Sequence, residues 1–485
     1  MKLIFTYMGK YKKFVFLAIF IKLVGTMSEL LLPYILEHII DNVVPSGNLT
    51  LVAAWGLTMF LAAILTRTLN VMANRRAIEN AHHISYDIRQ ALFEKTVNLT
   101  GEQFDAFGLP SLISRMTSDS YNVQGAVQAM QSLCVRAPIM LTGGVIVTLM
   151  MDAKLALILI CILPVLLCVI LFVSSRGIPM YRTVQKALDS VVRIMRENIT
   201  GIRVVKALSK EDYEMRRFAA ANQDMTQKDI KAATIMAIPF PLMQLCLNIG
   251  LTLVVIFGAA RVNAGEIKPG VILAFLTYFN MITMGVMGIN RIFMVLSRAS
   301  ASADRIDAVL ASADGHPVRQ NGASPLGEGL VRFEDVSFTY GSDSQEKEGF
   351  AGEEREKALS HISFSLKKGE SLGIIGPTGC GKTTIINLLM YFYDDYEGNI
   401  FVDGKDIRTM TKKDLRRRFG TVFQNDMIFM DTLAENIRFG RDLSQEQLDA
   451  AARDAMAEEF ISQLDAGMEY EAAIKGANQI GRAHV

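Results

Sequence analysis

The run Ser371-Leu372-Gly373-Ile374-Ile375-Gly376-Pro377-Thr378-Gly379-Cys380-Gly381-Lys382-Thr383-Thr384 decides how the C-terminal part of this chain is read. A short apolar stretch, 371–375, ends in G-x-x-x-x-G-K-[ST], and a helix-like segment, 384–390, follows. That is the strand, loop and helix order that phosphate binding requires. Glycines let successive backbone N–H groups turn inward on a phosphate, and the helix N-terminus adds the positive end of its dipole. Gly376, Pro377, Thr378, Gly379, Cys380, Gly381, Lys382, Thr383 and Thr384 are therefore the expected nucleotide-binding residues. Lys382 is expected at the β- and γ-phosphates of ATP, and the Thr383 hydroxyl on Mg²⁺.

The text around this loop has the period of strands. Residues 330–340 alternate through Val331, Phe333, Val336 and Phe338, and 362–366 alternate similarly. Between them, 341–357 holds six acids and three bases and reads as a solvated loop. Upstream, 314–329 mixes Gly, Pro, Ser and Asn and reads as a linker.

Before the linker the pattern changes to long apolar runs. Six stretches, 14–36, 51–71, 133–151, 155–173, 235–259 and 271–296, reach the length of about 20 residues that a bilayer core demands. The first follows Lys10, Lys12 and Lys13, yet it is too long for a signal peptide and lacks a small-residue cleavage site. Lys and Arg number four in 1–13, five in 72–132 and twelve in 174–234, against none in 37–50. This asymmetry puts both termini on the cytoplasmic side of the cytoplasmic membrane. Residues 72–132 and 174–234 then form two cytoplasmic arms, helical apart from a break around 101–110. As out-and-back helical pairs they reach roughly 40 Å below the bilayer.

Five charges fall inside these spans: Lys22, Glu29, Arg67, Arg136 and Arg291. Each costs a few kcal/mol at mid-bilayer, so each must pair, face a cavity or snorkel. Lys22, Arg67 and Arg136 lie near span ends and are expected to snorkel. Glu29 lies deeper, where a polar pathway is open to it. Met281, Met284, Met287 and Met294 recur at helical spacing and are expected in the core, the alternative being a pliable pocket.

Composition agrees with a chain divided between lipid and water. Its 485 residues are 51% hydrophobic and 20% charged, with mean hydropathy +0.27. Lys+Arg 50 against Asp+Glu 49 leaves +1, which removes the case for a nucleic-acid partner. Cys134, Cys161, Cys168 and Cys246 sit in apolar runs and read as buried thiols, with no spacing for a disulfide framework or a zinc site.

Six spans, two arms and a C-terminal P-loop give the chain the organisation of an ABC exporter half-transporter of the type IV fold, which it resembles over 1–478. Residues 11–13 through 40–45 look like that family's elbow helix and first span. Residues 331–340 look like its first nucleotide-domain strand, with Tyr340 matching the aromatic that stacks on adenine. Thr421-Val422-Phe423-Gln424 matches the Q-loop, whose glutamine reaches Mg²⁺. By the same resemblance, 114–122 and 208–214 would be the coupling helices at the arm tips. Cys380 departs from the small serine or alanine usual in the family, and the stretch 341–357 is longer than the pattern.

The resemblance implies a multi-domain membrane protein: an all-α six-helix transmembrane domain (1–313), a linker (314–329) and an incomplete α/β P-loop nucleotide-binding domain (330–478). Gln479-Ile480-Gly481-Arg482-Ala483-His484-Val485 stand where the family's signature is approached and are expected to be a non-native tail. The Walker B carboxylates, the signature and the switch histidine are then absent, so no catalytic residue is assigned. The expected activity is ATP-driven export of a lipophilic substrate by a dimer of half-transporters, homomeric or heteromeric, in contact with membrane lipid. The substrate is a small molecule, lipid or peptide. This fragment is expected to bind ATP without hydrolysing it. The alternative is a nucleotide-gated channel or regulatory membrane subunit.

Overall fold

A computed structural model describes residues 1–313, 329–341, 357–424 and 427–472. The chain divides into two units, Met1–Gly315 and His316–Val485. Almost all of the expected linker, most of the acidic stretch and the tail 479–485 lie outside the described residues.

Helices build the first unit. In chain order they are α1 (Lys2–Lys10), α2 (Lys12–His38), α3 (Leu49–Val97), α4 (Gly101–Phe107), α5 (Leu109–Ser114), α6 (Ser120–Gln131), α7 (Leu133–Met151), α8 (Ala153–Thr200), α9 (Ile202–Ala207), α10 (Glu211–Ala237), α11 (Pro239–Asn263) and α12 (Pro269–Leu310). Local chemistry sets their ends. Asn48 Oδ1 accepts from the Thr50 and Leu51 N–H groups to start α3, and Asp152 accepts from Leu155 N–H to start α8. Prolines stand in the first turn of α11 and α12, where a missing N–H costs nothing. Five stretches among the described residues are long and apolar enough to cross a bilayer: Lys12–Ser46, Leu49–Val97, Leu109–Met151, Glu211–Asn263 and Pro269–Leu310. The remaining expected span, 155–173, falls within α8, whose described apolar stretch is Ala153–Leu166.

α12 organises the unit. Ala299, Ala303, Ile306 and Val309 form one of its stripes, buried against Ile84, Ile88 and Leu92 of α3 and Val123, Ala126 and Val127 of α6, with Leu3 and Ile4 of α1 closing the cluster. Both ends of α12 are held by an aspartate carried on a π-helical turn. Asp41, in the turn Ile39–Val43, accepts from Gly270 N–H at 2.6 Å. Asp119, in the turn Arg115–Asp119, takes the Arg305 guanidinium with both oxygens, one at 2.8 Å.

The structure corrects several expectations here. Lys22 does not snorkel: it is 4% exposed and donates to Asn70 and Asn74 of α3 at 2.9 and 3.0 Å. Arg136 is paired instead, with Glu29 at 2.9 Å. Met284, Met287 and Met294 are exposed in this chain, so the core reading of the methionine stripe fails. Cys161 and Cys168 are exposed, and Cys134 and Cys246 half-buried, because these helices turn apolar side chains outward as well as inward. The first arm turns at residues 98–100, where Thr100 and Gln103 form a capping box that starts α4. Residues 114–122 therefore lie on the returning limb, against α12. At the second tip the short helix is α9, just before the expected 208–214, and α10 begins at Glu211.

The second unit has an antiparallel sheet of β1 (Val331–Phe338), β2 (Leu359–Leu366), β3 (Glu397–Val402) and β4 (Lys405–Asp406), ordered β2-β1-β3-β4. Val331 pairs with Leu366 on one side and Val402 on the other. Helices α13 (Lys382–Leu389), α14 (Lys412–Arg416), α15 (Leu433–Arg438), α16 (Gln445–Asp454) and α17 (Glu458–Ser462) follow or interleave. Ile385 and Leu388 of α13 pack on Phe333, Val336, Ile400 and Ile407. Residues 371–375, expected as a strand, join no ladder: Leu372, Ile374 and Ile375 are exposed, Ile375 almost wholly. A strand needs a neighbour to satisfy its backbone, and no described residue supplies one there.

Candidate nucleotide site

The Gly-rich loop is shaped by its glycines and by what lies behind it. Gly379 and Gly381 have φ of 89° and 91°, a region that costs other residues free energy. At Gly381 a Cβ would also come within 2.6 Å of the Ala358 carbonyl oxygen and a Leu359 methyl. The start of β2 thus presses the loop into place, and sequence reasoning had missed both residues.

Gly381 is the N-cap of α13, and no side chain caps this helix. Its first-turn N–H groups are the orphan donors that every helix leaves at this end. Lys382 folds back into the loop, donating to the Gly376 and Pro377 carbonyls at 2.8 and 2.7 Å, with Nζ 3.6 Å from Cys380 Sγ. Uncapped amides, a converging ammonium and the cradle that a Cβ would fill are what a phosphate chain fits. Thr383 is exposed in the first turn. Its hydroxyl is one neutral ligand, which suits Mg²⁺ because that ion takes its other positions from phosphates and water.

Thr384 is buried and shares a hydrogen bond of 3.0 Å with the Tyr340 hydroxyl. The Tyr340 ring meets Phe338 and Tyr393 edge-on, at 4.8 and 5.3 Å between centroids. The structure therefore brings Tyr340 to the first turn of α13 and adds Tyr393 to the aromatic wall. Only the aromatic run Tyr391-Phe392-Tyr393 hinted at that in the sequence.

Gln424 is exposed, and its segment is anchored elsewhere. Thr421 donates to Met390 Sδ at 3.4 Å, and Phe423 stacks on Phe392 at 6.5 Å. Both anchors lie just beyond the far end of α13, about 12 Å from its phosphate end for eight residues. The loop residues, Tyr340 and Thr384 are together in the structure; Gln424 is not joined to them.

Comparison with known proteins agrees with both units. The ABC transporter transmembrane region family matches residues 15–286, and the ABC transporter family matches 359–479. The ABC transporter ATP-binding protein YfiB of Bacillus subtilis is 30% identical over 466 residues, covering 96% of this chain and 79% of its own. An ABC transporter ATP-binding protein of Mycobacterium tuberculosis is also 30% identical, over 97% of this chain and 80% of its own. YfiC of Bacillus subtilis is 28% identical over 96% of this chain and 76% of its own. With a membrane unit and a P-loop unit on one polypeptide, each matched by its own family, the chain belongs to the ABC transporters, multi-pass membrane proteins that couple ATP to transport.

Proposed function

We propose that this chain is one half of a dimeric exporter that uses ATP and Mg²⁺ to move a lipophilic substrate out across the cytoplasmic membrane, with both termini in the cytoplasm. The observation that carries this reading is the phosphate cradle of Gly381, Lys382 and the uncapped α13, on the same chain as two long helical arms. The second arm supports the dimer. α10 buries only Ala232 among its described side chains, and Tyr213, Met215 and Ile230 are exposed. Such a surface calls for a second half-transporter to cover it. Lys382, Thr383, Thr384 and Tyr340 hold the nucleotide, and Gln424 joins them only if its segment moves along α13. ATP drives the cycle by binding the closed pair of nucleotide domains better than the open one, since a ligand shifts an equilibrium only by its differential affinity. The residues of this chain supply the P-loop side of an ATP site.

The test is ATP-dependent uptake of lipophilic dyes into inverted vesicles that carry the transporter, wild type against Lys382→Ala. Uphill uptake that needs Lys382 is expected. Flux that only runs downhill would overturn the pump in favour of a nucleotide-gated channel.

A further inference from the structure

At the end of α2 away from the arms, a buried carboxylate is only half satisfied. Asp41 is 5% exposed and stands on the π-helical turn Ile39–Val43. Its Oδ1 accepts the Gly270 N–H at 2.6 Å, one of the orphan donors in the first turn of α12. A Cβ on residue 270 would come within 2.7 Å of the carboxylate, so glycine is what lets the helix approach this closely. The other oxygen, Oδ2, is buried and has no hydrogen-bond partner among the described residues. Leaving a buried acceptor without a donor is costly.

The group beside it is a second acid. Glu37 lies four residues earlier on the same face of α2, half-buried, with its carboxyl against that of Asp41. Ionised carboxylates only accept hydrogen bonds, so neither can satisfy the other, and one proton between them supplies the missing donor. Two carboxyls sharing a site do not both ionise without cost, so such a pair keeps a proton to higher pH than an isolated acid. The neighbouring charged and titratable groups are engaged elsewhere. Lys268 of α12 donates to the Asp41 carbonyl and to Asn42 Oδ1, not to a carboxylate. His38 meets Asn42 through Nδ1 at 3.2 Å and lies against Trp55 of α3 at 4.6 Å between centroids. Tyr278 of α12 donates to the Leu30 carbonyl, and Tyr34 is exposed. Residues 49–66 of α3 carry no titratable group.

We propose that Glu37 and Asp41 form a proton site that ties the start of α12 to α2. With the proton in place Asp41 is held from both sides, by Glu37 and by Gly270. Without it, the repulsion between two carboxylates falls on the contact of Asp41 with Gly270, and the tie loosens. The tie is therefore full in acid and is lost as pH rises through the titration of the pair.

The test is amide exchange at Gly270 in the full chain in phosphatidylcholine nanodiscs, corrected for the intrinsic pH dependence of exchange, at about pH 5 and about pH 8. Protection should be about tenfold higher at the lower pH, as for proton affinities one pH unit apart in the tied and released states. Glu37→Gln, whose amide N–H donates to Oδ2 at every pH, should hold the acid level of protection throughout. Asp41→Asn, which turns a donor toward Glu37 from the other side, should do the same and serves where Glu37→Gln does not fold. His38→Gln should leave the step in place. Wild-type protection that does not change with pH would overturn the proposal, as would a step that survives Glu37→Gln or disappears in His38→Gln.

Discussion

Removing the carboxylate of Asp119 should loosen the joint between the first arm and α12 by about 2–3 kcal/mol. The side chain of Asp119 is 3% exposed, whereas that of Arg305 is 51% exposed. Breaking a fully buried pair costs about 3–5 kcal/mol, because the surviving charge is stranded. Here Arg305 can rehydrate, so the loss in Asp119→Ala falls below that range, yet above the 0–1 kcal/mol of a surface pair. Arg75–Glu79, with side chains 80% and 38% exposed, is the matched control, and Glu79→Ala should change little. At about 1.5 °C per kcal/mol for a unit of this size, Asp119→Ala should unfold about 3–5 °C lower. The assay is thermal unfolding in detergent at one fixed scan rate, because large membrane proteins unfold irreversibly. A pH series adds an independent check. Burial raises the Asp119 pKa, but hydrogen bonds from Arg305 and Ser302 and the charges of Arg305 and Arg115 outweigh it, so the carboxyl stays below its ordinary value of 3.8. A depressed folded pKa means stability that is present above the unfolded value and lost as pH falls through the folded one. Wild type should therefore lose part of its margin over Asp119→Ala below about pH 4. Equal unfolding temperatures at pH 7 would refute the reasoning, as would a margin that does not shrink in acid.

Three further outcomes follow from the geometry. Gly381→Ala forces a Cβ to within 2.6 Å of the Ala358 oxygen at φ 91°, a strain of about 1–3 kcal/mol; ATP binding measured by fluorescent-analogue titration should fall at least about tenfold, and unchanged binding would show that the loop can move off β2. Cys380 is exposed inside the loop, so saturating ATP should slow its labelling by a maleimide, while Cys161 and Cys168 label at unchanged rates; equal slowing of all three would point to a global effect. Backbone amides of α10 should exchange faster than those of α3 around Ile84–Leu92 in the monomeric chain, because α10 buries so little; slower exchange in α10 would contradict the unpartnered second arm.

Much of this was legible in the sequence where the cause is local. The phosphate loop could be read because its shape is set by glycines and a helix start within a dozen residues. The arm tip at Thr100-Gly101-Glu102-Gln103 was equally local, a capping box that marks a helix start, and reading the break at 101–110 placed the turn too late. The intramembrane charges were not legible in this way. Glu29 and Arg136 are 107 positions apart and meet only because α2 packs on α7. Lys22 was misread as snorkelling, although Asn70 and Asn74, four apart on one face of α3, formed a ready receptor. The methionines of α12 show a face by their spacing, but spacing does not say what covers that face. For 371–375 the apolar run was real and the ladder was not, since a strand is defined by its neighbour.

The two arms differ in what holds them, and under the export cycle proposed above that difference bears on how a push at an arm tip would reach the spans. In the first arm Ile84, Ile88 and Leu92 are fully buried against α6 and α12, worth about 1.5–3 kcal/mol each. Asp119 and Arg305 then fix the returning limb to the same helix. In the second arm α8 and α10 are joined near the tip by Arg217 to Glu197 at 2.6 Å, an exposed pair worth at most about 1 kcal/mol, and by Asn198, which donates to Glu214 at 2.7 Å, while Ala187, Val191 and Ile194 of α8 and Ala232 of α10 are buried. The first arm is continuous with α12 through packed side chains that cannot deform gradually. α12 carries Met281, Met284 and Gly285 beside Glu29 of α2 and Arg136 of α7 and is tied at its other end by Asp41. Under that proposal a displacement of the first tip would reach the membrane as a movement of α12 as a body, within one chain. In the second arm α8 runs unbroken from Ala153 to Thr200, so under the same proposal a displacement of that tip enters the span along the helix itself, while the exposed face of α10 is left for a second half-transporter to cover.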